Sequence, residues 1–288
     1  MSQIRIPLHQ PLRLSGEFIK RRRASLNSYH FRTTSGNHFI IKKQTRLVHH
    51  RRLIAEWVAN RLLVQLGFIV PLVLEVLVPL DTIVVPEETE ESALAIQFPC
   101  NPDVHSIFDM IPDSLGHKVC NPGDFVGIRL VDWWLYNSGN RHAIFVHRST
   151  IDPQAVHNAE NLSIEQKGFV GIFVGNSDCF GGSDWGFAGE VQQGLYPRPW
   201  SNTEVSDSYE YWAAKILAIS SQDIEAVFQS IPPSWLSQDD HIALSFLKKR
   251  LLDRAKQVEF DPARMLRKPV QSADRPRRVE GFRQQEIV

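Results

Sequence analysis

The stretch "VDWWLYNSGNRHAIFVHR", residues 131–148, decides how the chain is read. Large apolar residues run up to Tyr136, six small or polar residues follow (Asn137, Ser138, Gly139, Asn140, Arg141, His142), and an apolar run with period-two character begins at once. Such a sequence describes a buried helix over 124–136, a tight polar loop, and a strand "HAIFVH". An arginine and a histidine held between two buried elements are residue types suited to chemistry. The loop nevertheless contains no carboxylate.

Outward from the loop, a second short strand is expected in "GFVGIFVG" (168–175), after a polar connection at 149–168. Helices are expected over 207–219, 221–230 and 238–257, the second starting at Ser221 with Glu225 nearby and "IPPSW" interrupting before the third. Before the loop the pattern differs. "LRLSGEFIK", "SYHFRTT" and "NHFIIKK" alternate with turn residues between them, as antiparallel strands do. From Arg46 to Leu66 apolar residues recur at helical spacing, with Gly67 as C-cap and Pro71 beyond it. "PLVLEVLVPLDTIVVP" and "LAIQF" return to strand composition, around an acidic surface loop "EETEESA". The organisation expected is a β-rich unit with one helix (1–98), a helical unit (99–260), and an Arg- and Pro-rich tail (261–288) with too little apolar content to order itself.

Composition narrows the partners. Lys+Arg and Asp+Glu are 32 each, and this neutrality gives no electrostatic reason to expect nucleic acid. Three cysteines cannot form a disulfide framework and fit a reducing compartment. "MSQIRIPLHQPLRL" lacks the apolar core of a signal peptide, and no run approaches the ~20 apolar residues of a membrane span. A cytoplasmic protein with no membrane partner is expected. No C-x-x-C or H-E-x-x-H spacing suggests zinc, and there is no "GxxxxGK" phosphate loop.

In "HFIIKK" the strand period puts Ile40 and Lys42 on one face and Ile41 and Lys43 on the other. A sheet lysine paired with a helix glutamate, here Glu56, is how protein kinases hold nucleotide phosphates. The simpler alternative is a solvated lysine, with Glu56 paired to Arg52 one helical turn away.

Taken together, these segments resemble the HipA-like kinases, atypical serine/threonine kinases related to toxin kinases, in a single-domain form. "FIIK" resembles the family's strand ending in the ATP lysine. "AEWVANRLLVQLGFIVP" resembles its helix pattern, with Glu56, Gly67 and Pro71 in place. "VDWWLYNSGNRHAIF" resembles "fD.W..N.DRh..N", "VGNSDCFGG" resembles "IDH...cFGG", and "IPPSW" with "LKKRLLDRAKQ" resembles the closing helices. The resemblance runs from about residue 10 to 258. It implies an α+β, bilobal, protein-kinase-like fold, with the cleft near Lys42, Glu56, Gln97, Asn140 and Gly175, and ATP as ligand.

Departures from the family pattern fall on its chemistry. The catalytic aspartate before Arg141 and His142 is Asn140, which cannot take a proton near neutral pH. The metal-binding asparagine falls on Phe145, the metal aspartate on Gly175, and the histidine after it on Asn176. Neither Phe145 nor Gly175 offers the side-chain oxygen that Mg²⁺ requires. General-base assistance alone is worth ~10²–10⁴-fold, and the bridging metal neutralises transition-state charge besides. The chain therefore reads as a pseudokinase or severely impaired kinase that acts by binding a nucleotide or a partner protein. Two alternatives stand beside this: a working Ser/Thr kinase that uses Asp178 as metal ligand, and an interaction or nucleic-acid-associated protein that acts through its basic tail. Arg141 and His142 also have structural readings, as a ligand of loop backbone and a core histidine.

Overall fold

The computed structural model describes residues 11–22, 28–44, 49–78, 91–139, 141–162, 167–187, 191 and 202–258. The tail, Asn140, residues 87–90 of the acidic segment and most of "RRRAS" lie outside these residues; Glu91, Ser92 and Ala93, expected in the acidic loop, are strand residues instead, paired with Val78, Leu77 and Val76.

Strands β1 (Leu12–Arg13), β2 (Gly16–Arg22), β3 (Ser28–Thr33) and β4 (His38–Lys42) precede helix α1 (His50–Leu66). After it come β5 (Val70–Pro71), β6 (Val73–Val78) and β7 (Glu91–Gln97). Six of these strands form one sheet in the order β1-β6-β7-β4-β3-β2. All its pairs are antiparallel except β1 with β6, which is parallel. Period-two alternation divides its residues between two cores. Phe31, Phe39, Ile41, Val76, Ala93 and Ala95 gather on one side of the sheet. Leu94, Ile96, Val73 and Ile40 belong to the cluster that includes α1. Lys42 shares the side of Ile40, as the strand period requires.

Helix α1 is buried along most of its length. It ends where Gly67 adopts φ 94°, with its N–H on the carbonyls of Leu63 and Val64, the left-handed cap expected there. The remainder comprises β8 (Ile107–Phe108), α2 (Asp124–Trp134), β9 (His142–His147), β10 (Val156–His157), β11 (Phe169–Val174), α3 (Asn202–Leu217), α4 (Ser221–Gln229) and α5 (Asp240–Gln257). β9 lies between β11 and β8, antiparallel to both.

The largest apolar cluster runs from α1 through α2 to α5. Its centre is aromatic. Trp57 meets Trp235 edge-on at 5.5 Å, Phe68 stacks on Trp212 at 3.9 Å, and the Trp134 indole N–H reaches the Leu251 carbonyl. Each such side chain, fully buried, contributes roughly 1.5–3 kcal/mol of apolar transfer.

Element boundaries differ from the sequence reading in physically clear ways. α4 is capped by Ser220, whose hydroxyl accepts from Asp223 N–H while the Asp223 carboxylate accepts from Ser220 N–H. This capping box lies one residue before Ser221 and does not use Glu225. α3 begins five residues earlier than expected. α2 ends at Trp134, because Tyr136 takes a left-handed φ of 52° to enter the polar loop.

Candidate functional site

Four segments converge between sheet and helices: the end of β4, the middle of α1, the loop after α2, and the turn after β11. Lys42 Nζ donates to Glu56 Oε2 at 2.7 Å, and the two side chains are 15% and 2% exposed. The alternative pairing of Glu56 with Arg52 does not form; Arg52 Nη2 instead meets Asp178 Oδ1 at 3.0 Å.

Glu56 also receives the turn after β11. Its Oε1 accepts both the backbone N–H and the side-chain amide of Asn176, each at 3.0 Å. Burial opposes ionisation of Glu56. The Lys42 charge and the hydrogen bonds from Lys42 and Asn176 outweigh it and hold the carboxyl below its ordinary range.

The network continues without a break into the polar loop. Asn176 Oδ1 accepts from Arg141 Nη1, and Arg141 Nε donates to Asp132 Oδ1 at 2.5 Å. Asp132 Oδ1 also accepts from Asn137 Nδ2 at 2.9 Å, and Asn137 Oδ1 accepts from Gly139 N–H at 3.1 Å. Arg141 is wholly buried, with its third contact on the Cys179 sulfur at 3.7 Å. Burial pushes the Cys179 thiol pKa up, so it stays protonated.

Two structural readings from the sequence need correction. Arg141 donates to side chains, those of Asp132, Asn176 and Cys179, where loop backbone was expected. Loop carbonyls accept from the "CFGG" backbone, Phe180 N–H to Leu135 O and Gly181 N–H to Tyr136 O. His142 is exposed at the first position of β9, where strand alternation turns its ring outward, so it is no core histidine. Gln97 closes β7 opposite Phe39, and its N–H donates to the Leu72 carbonyl. Asn140 lies outside the described residues.

Asp178 has a definite place. Its carbonyl accepts from the N–H of Ser138 at 3.0 Å and the hydroxyl at 3.1 Å, and a Cβ added to Gly139 would stand 2.4 Å from its Oδ2. It therefore lies directly on the loop backbone, with Arg52 on its other side. Sequence reasoning did not find this pair. The only signal was Arg52 standing four residues before Glu56, on the same helix face.

The positions matched to the family's metal ligands are occupied by groups that cannot serve. Phe145 is 1% exposed and its ring stacks on Phe125 with centroids 5.9 Å apart. Gly175 turns the chain out of β11 at φ 87°, in the left-handed region, so that Asn176 can reach Glu56. Among the described residues no three His, Cys, Asp or Glu side chains gather as a metal-holding group. The Lys42–Glu56 pair fits a phosphate anchor; the residues do not fit Mg²⁺ held in the family's manner.

A sheet carrying a lysine, a helix carrying its glutamate, and a polar loop between α2 and a short antiparallel pair define a bilobal kinase-like fold. A solved kinase structure agrees with this fold, and two others are similar at lower scores. The proinflammatory kinase CtkA of Helicobacter pylori superposes over 89% of this chain and 98% of its own, with TM-score 0.52 and 13% identity. HipA of Shewanella oneidensis, solved with HipB and operator DNA, covers 89% of this chain and 67% of its own at TM-score 0.46 and 15% identity. Hydra Fam20, solved with sugar, covers 85% and 86% at TM-score 0.45 and 13% identity. No protein-family model and no curated protein sequence matches the chain. Among the described residues no helix is long and apolar enough to cross a membrane.

Proposed function

We propose that this chain is a pseudokinase, or a kinase impaired to the same effect, that acts by binding a nucleotide in its cleft or a partner protein rather than by phosphoryl transfer. One contrast carries the reading. The phosphate-anchoring pair Lys42–Glu56 is intact at 2.7 Å, while Phe145 and Gly175 stand where metal oxygens are needed. Asn140 in place of the base completes the loss of proton chemistry. The three cysteines are free, which suits a cytoplasmic setting.

Radiolabelled ATP with Mg²⁺ or Mn²⁺ tests it: the expected outcome is no robust transfer to protein substrates, alongside a nucleotide-dependent rise in melting temperature that Lys42→Met abolishes. Robust transfer lost in Asp178→Asn overturns the reading. It would favour the active-kinase alternative, for which the seat of Asp178 on the polar loop is the supporting observation. A melting temperature indifferent to nucleotide would leave partner binding, including binding through the basic tail, as the activity.

A further inference from the structure

We infer that the cleft takes a nucleoside polyphosphate free of divalent metal, with the Arg52 guanidinium supplying the positive charge that a metal ion supplies elsewhere. This rests on the reading of the cleft as a nucleotide site and concerns the charge state of its ligand.

Arg52 lies one helical turn before Glu56, so both side chains leave the same face of α1, the face that meets Lys42. Its guanidinium is anchored by Asp178, which in turn is seated on the loop at Ser138 and Gly139. A cation is thus fixed over the catalytic-loop backbone by a carboxylate, as a divalent ion would be. The ion pair with Asp178 runs through Nη2. Nε and Nη1 remain as donors on a side chain 30% open to solvent. Lys42 likewise spends one of its three ammonium donors on Glu56. Lys42, on Glu56, and Arg52, one helical turn before Glu56, are the two cations that would grip the phosphates from two sides. The same arrangement disfavours a divalent ion. Asp178 already has its counter-charge, Glu56 and Asp132 are committed to Lys42 and Arg141, and a metal approaching Asp178 would meet the guanidinium.

Calorimetric titration of ATP into the full chain, in EDTA and then in excess Mg²⁺, tests the inference. The wild type is expected to bind several-fold more tightly in EDTA than in excess Mg²⁺, which ties up the nucleotide as its metal complex. Arg52→Gln weakens binding in EDTA by about tenfold or more, the loss of one charge-assisted phosphate contact, while Arg52→Lys retains most of it. Asp178→Asn is the discriminating variant: it removes no phosphate donor and no metal ligand in use, so binding in EDTA persists. Binding that requires Mg²⁺ and is lost in Asp178→Asn overturns the inference and leaves the nucleotide reading standing. No binding in either condition, with the wild type folded by its melting curve, overturns both.

Discussion

Glu56→Gln tests the centre of the structure independently of any ligand. The wild-type carboxylate is 2% exposed and takes three hydrogen bonds: Lys42 at 2.7 Å and two from Asn176 at 3.0 Å. Glutamine keeps the shape but brings an NH₂ against donors and leaves Lys42 without its counter-charge. Removing one member of a buried pair costs ~3–5 kcal/mol. Because Lys42 retains some solvent access, at 15% exposure, the lower end, about 3 kcal/mol, is expected. For a chain of this size each kcal/mol moves the melting temperature by roughly 2–4 °C, so the loss should be about 6–12 °C. The acid limb should change too. The Glu56 carboxyl lies below its ordinary value in the folded state, so its stabilisation is full above the unfolded value near ~4.3 and lost as pH falls through the folded one. Glutamine removes that contribution and flattens the limb. Urea melts of Glu56→Gln, Lys42→Met and the double variant give the coupling. A cost under about 1 kcal/mol, or strict additivity, would refute the assignment of the pair as a buried anchor.

Asp240→Asn should destabilise by about 2–4 kcal/mol, read in the same urea melts. The Asp240 side chain is fully buried, with His50, Arg51 and the Ser237 amide and hydroxyl on its oxygens. Burial pushes its pKa upward, but those bonds prevail and hold it well below the carboxylate range. Its contribution is therefore present above about pH 4 and lost as pH falls below, and Asp240→Asn should be less steeply acid-sensitive than wild type. Gly127→Ala would put a Cβ 2.4–2.6 Å from the Trp212 indole. An overpacking cost of about 1–3 kcal/mol and a changed tryptophan emission spectrum are expected, and an unchanged melt would contradict the close approach of α2 and α3.

The elements most legible in sequence were those with strong local period and unambiguous caps. α1 announces itself by its apolar spacing and by Gly67, and β4 by the alternation that sends Ile41 to one core and Ile40 with Lys42 to the other. The kinase-like order followed from these and the polar loop. What could not be read were contacts decided by tertiary placement. Arg52 had a plausible partner four residues along its own helix and chose Asp178 on a segment 126 positions away. Arg141 could have bonded backbone in its own loop, but Asp132, Asn176 and the Cys179 sulfur close around it from three elements. His142 looked buried by its neighbours, yet the strand's alternation turns it outward. The start of α4 at Ser221 was legible, but its cap is Ser220, because the two serines are equally good caps and only the Asp223 geometry distinguishes them.

One feature of α1 constrains how the molecule can move. At its start His50 and Arg51 hold Asp240 of α5; along it Trp57 donates to Ser230; at its end the carbonyls of Leu66 and Gly67 receive Lys215 and Asn161. A swing of this helix outward would sever moorings at both ends and the middle together, so toggling it cannot serve as a cheap on–off control.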